Sequence, residues 1–251
     1  MGRIFTYGCS FTNYVWPTWA DLLLHGNEGF NFGNMGSGTV QIMNKIIHTD
    51  TKIGFKEDDI VIIILPTKHR WDYISGEEST WSTDGRIENN VDFDLTNEKY
   101  YTLDGLEYLS NNAVIAIKNF LENKKITHYI GGTSNSFKDI INYDLLNFSK
   151  FIHNDDLGMS WKTTKRWSSY PDLHPRVTHH YKWLNEILLP KLKNIELNVS
   201  EEDISDIEKM IDEFDTTLQC FTYFKNKTKY FENKVTNKIN FELEKEKVKL
   251  I

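Results

Sequence analysis

Three side chains in this sequence have types that could do covalent chemistry together: Ser10, His174 and Asp172. Acyl transfer needs an activated hydroxyl, a base to take its proton, and N–H donors for the developing oxyanion. Ser10 would supply the hydroxyl, in Gly8-Cys9-Ser10-Phe11-Thr12. His174 would act as general base, in Asp172-Leu173-His174-Pro175, with Asp172 orienting the imidazole. The backbone N–H groups of Ser10 and Gly36 would hold the oxyanion, and a glycine lets backbone approach the reacting carbonyl without a side chain. Plainer readings stand beside these. Ser10 and Asp172 also suit helix caps, and Gly36 suits a tight turn. Cys9 is set aside as nucleophile because strand alternation turns it away from Ser10. His179 and His180 lack a carboxylate or cysteine at metal-binding spacing, so no metal is expected.

These groups follow the ends of candidate strands. An apolar, aromatic run over residues 3–8 ends at Gly8, and residues 16–25 then read as a helix. A short strand near 30–32 runs into a glycine-rich loop. The helix after it carries Val40, Met43, Ile46 and Ile47. Residues 60–65 (Ile-Val-Ile-Ile-Ile-Leu) are apolar at every position, the mark of a central parallel strand covered on both faces. Residues 72–104 lose periodicity and read as an insertion, either a lid or disordered. A helix over 106–123 and a strand over 126–130 follow, the latter ending in Gly131-Gly132-Thr133-Ser134-Asn135. Residues 137–152 read as a helix and a last short strand near 148–152, and residues 179–192 as a closing helix. Alternating strands and helices of this kind predict a parallel, doubly wound sheet of about five strands. A domain over 1–197 is expected, with a C-terminal helical extension over 198–251 that opens on the capping-box-like Ser200-Glu201-Glu202-Asp203. That extension would dock on the domain or pair with a second copy.

A net charge of −7 argues against general nucleic-acid binding, which rests on phosphate neutralisation by Lys and Arg. Two cysteines make no disulfide framework, and no apolar run is long enough to span a bilayer. With no secretory leader read at the start, a cytoplasmic location is expected, that of the host if the chain is viral.

On these motifs the chain resembles the SGNH (GDSL-like) hydrolases, in a divergent form similar to phage- and capsule-associated members. Gly8-Cys9-Ser10-Phe11-Thr12 matches the first block, with Cys9 where the aspartate usually stands. Asn31-Phe32-Gly33-Asn34-Met35-Gly36 matches the second in full. Asp172-Leu173-His174-Pro175 matches the last, one residue shorter between aspartate and histidine. The third block departs: Pro66-Thr67-Lys68-His69-Arg70 has no asparagine for the oxyanion. Thr67, Lys68 or Arg70 would stand in for it, as divergent relatives carry Thr or Ser and then Arg at this strand end, with Asn135 after the next strand as a further candidate.

The resemblance covers residues 1–195 or so and implies a three-layer α/β/α, flavodoxin-like fold. It also implies a serine esterase needing no cofactor and acting on a small-molecule or glycan O-acyl ester. Lys68, Arg70 and Trp71 would contact that substrate. Two other readings stay open: transfer of the acyl group to another alcohol, and a catalytically degenerate binding or assembly module. A flavodoxin-like phosphate site at the two glycine loops is disfavoured, because neither loop is a Walker or Rossmann fingerprint.

Overall fold

The structure is a computed structural model describing residues 2–75, 80–86, 102–145, 148, 174–214 and 224, with backbone alone at 71, 73–75 and 80–86. In chain order the elements are β1 (Ile4–Gly8), α1 (Trp19–Leu24), β2 (Gly29–Asn31), α2 (Thr39–Lys52) and β3 (Ile60–Leu65). Then come β4 (Arg70–Ser75), β5 (Thr80–Arg86), α3 (Leu103–Asn123), β6 (Thr127–Gly132), α4 (Val177–Trp183) and α5 (Glu201–Asp212).

Four strands form one parallel sheet in the order β2-β1-β3-β6. Ile4 lies opposite Gly29 on β2 and Ile60 on β3, and Gly8 lies opposite Ile64. Strand alternation then sorts the side chains onto two faces. Ile4, Ile62 and Ile64 pack with Trp19 and Leu22 of α1, Trp183 of α4, and Ile204, Ile207 and Ile211 of α5. Phe5, Tyr7, Val61, Ile63 and Leu65 pack with Ile42 and Ile46 of α2 and Val114, Ile117 and Leu121 of α3. Helices therefore cover both faces, which explains the unbroken apolar run of β3. The chain goes from β1 to β2 on one side and then crosses to β3 on the other. The gap between β1 and β3 is thus the switch point, and its carboxyl edge is where such sheets open a crevice.

Local chemistry shifts several expected boundaries. α1 begins at Trp19 because Thr18 caps it, its backbone N–H donating to Asp21 Oδ2 at 2.8 Å. α3 begins at Leu103 because Thr102 Oγ1 accepts from Gly105 N at 3.0 Å. The closing helix is not uniform: α4 widens to a π-helical turn at Leu184–Leu188 and tightens to a 3₁₀ turn at Leu189–Lys191. Pro190, which has no N–H to give, sits in that last turn. Part of the aperiodic insertion is ordered as an antiparallel hairpin, β4 with β5, and its remainder lies outside the described residues. The last strand read near 148–152 also lies outside them, except Phe148, which is helical and fully buried. Four parallel strands, not five, are therefore seen among the described residues.

α5 carries the capping box read from its sequence. Ser200 Oγ accepts from Asp203 N at 3.1 Å, and Asp203 Oδ2 accepts from Ser200 N at 2.9 Å. Its three buried isoleucines place it in the same layer as α1 and α4. Among the described residues no helix is long and apolar enough to cross a membrane.

Candidate active site

β1 ends at Gly8, a position where a side chain has no room. A Cβ would lie 2.1 Å from Thr12 Oγ1 and 2.8 Å from the Ile64 carbonyl oxygen. The chain then turns back on itself, with Thr12 N and Asn13 N donating to the Cys9 carbonyl at 2.8 and 3.2 Å. Cys9 is fully buried, while Ser10 keeps 5% of its surface exposed at the carboxyl edge of the sheet.

A second loop is strapped to this turn. Asn34 N donates to the Gly8 carbonyl at 3.0 Å, and Asn13 Nδ2 to the Gly33 carbonyl at 2.9 Å. Gly33 is obligatory, since its Cβ would meet Thr12 Cβ at 2.8 Å. Asn34 to Ser37 form a turn closed by Ser37 N on the Asn34 carbonyl (3.1 Å), and Gly36, its third residue, has φ +82°. That is the left-handed position a type II turn reserves for glycine. Among the described residues, neither the Ser10 nor the Gly36 amide donates to a protein acceptor.

Asn31 locks the two loops together from below, a role not legible in its sequence position. Its Oδ1 accepts from Gly33 N (3.0 Å) and Thr6 Oγ1 (3.2 Å); its Nδ2 donates to the Thr12 carbonyl (3.0 Å) and Asp21 Oδ1 (2.9 Å). Burial raises the Asp21 carboxyl above its ordinary range, although Thr18 and Asn31 donate to it.

His174 comes from a segment far along the chain, just before α4, and meets the turn directly. Its Nε2 lies 2.8 Å from Ser10 Oγ. The Tyr14 ring stacks on the imidazole, with centroids 3.8 Å apart and planes 19° from parallel. Trp16 packs edge-on against Tyr14 and donates its indole N–H to the Pro175 carbonyl at 2.9 Å. Phe11 approaches the imidazole from 5.8 Å. The sequence marks Trp16 as the start of a helix and does not single out Tyr14. The signal available was two aromatics four and six residues past the serine.

The other expected residues fall as follows. Thr67 lies just past β3, with its hydroxyl buried and without a partner among the described residues. Lys68 ion-pairs with Glu107 of α3 at 2.5 Å, so its charge is engaged there, and its carbonyl accepts from Ser110 Oγ at 2.8 Å. Arg70 opens β4, its Nε buried without an acceptor among the described residues. Trp71 follows in the same strand, but its side chain lies outside the described residues, as does Asp172. Asn135 is exposed in the turn after β6. The structure thus joins Ser10 to His174 and straps the loop that carries Gly36 to the turn that carries Ser10. His179 and His180 are both buried, and burial lowers the basicity of each.

Asp72 is a further residue that sequence reading did not single out. From β4 it caps α2: Oδ1 accepts from Gly38 N at 2.6 Å and Oδ2 from Gln41 N at 2.9 Å. Gly38 must be a glycine for this, because its Cβ would sit 2.5 Å from Asp72 Oδ2. Burial pushes the Asp72 carboxyl up to about 6, against the pull of both amides and of the Arg70 and Lys45 charges.

No family model matches the chain, and no curated protein matches it. Among solved structures, the chain is similar to a member of the lipolytic protein G-D-S-L family from Veillonella parvula. That similarity covers 74% of this chain and 95% of the other, at 10% identity and a TM-score of 0.35. The fold and the site therefore rest on the geometry described above.

Proposed function

We propose that the chain is a serine ester hydrolase, with Ser10 as nucleophile and His174 as general base. The observation that carries this is the 2.8 Å contact between Ser10 Oγ and His174 Nε2 at the carboxyl edge of the switch point. Ser10 Oγ attacks the ester carbonyl carbon while its proton passes to Nε2. The Ser10 and Gly36 amides receive the negative charge on the carbonyl oxygen. The tetrahedral adduct collapses, the C–O bond to the alcohol breaks, and the imidazolium returns its proton to that alcohol. Water then attacks the acyl-enzyme, giving its proton to Nε2. Collapse frees the carboxylic acid and restores the Ser10 hydroxyl.

Nε2 can accept only in the tautomer that carries its proton on Nδ1. We assign Asp172 to hold that proton, from its place two residues earlier in the sequence. The unclaimed Thr67 hydroxyl supports it as a third oxyanion donor. A carbohydrate O-acetyl ester is the substrate class the family resemblance favours.

The test is labelling by a fluorophosphonate probe together with turnover of p-nitrophenyl acetate. Ser10→Ala is expected to abolish labelling, and Ser10→Ala and His174→Ala each to lower kcat by about 10³-fold or more. Undiminished labelling of Ser10→Ala would rule out the nucleophile. A folded wild type that neither labels nor turns over ester would leave the binding-module reading standing. Product analysis with a second alcohol present separates hydrolysis from transfer.

A further inference from the structure

Tyr14 stacks directly on the proposed base. The ring lies flat on the imidazole at 3.8 Å and 19°, while the imidazole edge bearing Nε2 points to Ser10 Oγ. Both rings are only half-buried, so the stack stands at the crevice and not in the core. Trp16 holds both partners of the stack. Its ring edge braces Tyr14 at 4.7 Å, and its N–H fixes the carbonyl of Pro175, the residue that follows His174. Nucleophile, stacking ring and brace thus all come from residues 10–16, and only the base is imported from elsewhere.

We propose that Tyr14 is a positioning residue for His174, acting in two ways and resting on the hydrolase reading above. Stacking restricts rotation of the imidazole about its own bonds, so that Nε2 stays aimed at Ser10. When the Ser10 proton moves to Nε2 the imidazole becomes a cation lying on the electron-rich face of Tyr14. That charge is then stabilised by the ring at the moment it forms. The phenol hydroxyl has no part in either effect, so phenylalanine should replace tyrosine at this position.

The experiment uses the full chain with Tyr14→Phe, Tyr14→Leu and a series of phenylalanines at position 14 carrying increasing numbers of ring fluorines. It reads the rate of fluorophosphonate labelling, kcat and KM for p-nitrophenyl acetate, and the melting temperature. Tyr14→Phe is expected to stay within about twofold of wild type. Tyr14→Leu is expected to lose about tenfold in kcat with KM little changed, the magnitude of a desolvated cation–ring contact. Each added fluorine should lower log kcat by a further step, because it withdraws charge from the ring face without changing its shape. A merely structural ring would show no such slope. Two results overturn the inference alone: wild-type labelling rates in Tyr14→Leu, or no fluorine dependence among variants of equal melting temperature. Absence of labelling in the wild type overturns the hydrolase reading itself, and the two failures are thereby told apart.

Discussion

Asn31 shows how single residues hold this site. Its amide is used four times, on Gly33, Thr6, Thr12 and Asp21, so it joins the ends of β1 and β2 to the start of α1. No hydrophobic side chain could replace it without stranding buried donors and acceptors. Asp72 does comparable work for α2, but as a titrating group. Its folded pKa of about 6 exceeds the ordinary 3.8, so the folded chain takes up this proton more readily than the unfolded one. Its contribution to stability is therefore complete below about pH 3.8 and is lost as pH rises through about 6. Chemical denaturation of wild type and Asp72→Asn across pH 3.5 to 7.5 checks this. The stability of wild type relative to the variant should fall by about 2–3 kcal/mol between about pH 4 and 6 and then level off. A pH-independent difference would show that Asp72 does not titrate in this range.

Between elements, the most consequential contact joins α5 to the segment that carries the base. Glu208 Oε1 accepts from Thr178 N at 2.8 Å and Thr178 Oγ1 at 2.9 Å, which caps the first turn of α4. Its Oε2 accepts from Arg176 Nε at 2.8 Å, and Arg176 also pairs with Asp212 at 2.8 Å. The Arg176 side chain is only 12% exposed, two residues after His174. Removing one partner of such a pair leaves a largely desolvated charge, which costs more than removing both. Glu208→Ala should therefore destabilise the chain by about 2–3 kcal/mol, at the lower end because Asp212 still faces the guanidinium. Arg176→Met combined with Glu208→Leu should recover most of that loss in urea denaturation. A double variant no more stable than Glu208→Ala would show that the carboxylate acts by capping α4 and not by pairing the charge.

At the scale of the molecule, two core clusters lie on opposite faces of one sheet, and each strand of the sheet centre is covered from both sides. The β4–β5 hairpin is different. Among the described residues its strands pair only with each other, and its described anchors are Asp72 on α2 and the Lys68 segment on α3. Hydrogen exchange should reflect this division. Amides of Ile62, Ile63 and Ile64 are expected to exchange only through global unfolding, and those of β4 and β5 at least about tenfold faster. Equal protection of hairpin and sheet would mean that the hairpin unfolds only with the core.

Sequence alone determined the parallel sheet, the two-sided burial of β3, the serine after β1 and the histidine before α4. Each of these is written locally, as a run of apolar residues or a strand end followed by a glycine or a cap. It also offered Ser10 and His174 as candidates to meet, but only the tertiary structure brings Ser10 Oγ to 2.8 Å from His174 Nε2. Tertiary structure alone decided what holds that pair. Tyr14 over the imidazole, Trp16 on Pro175, Asp72 on α2 and Glu208 beneath Arg176 join residues by direction in space, and no periodicity records such directions. The hairpin is likewise not written as a periodic run, and among the described residues its two strands pair with each other and with no strand of the central sheet.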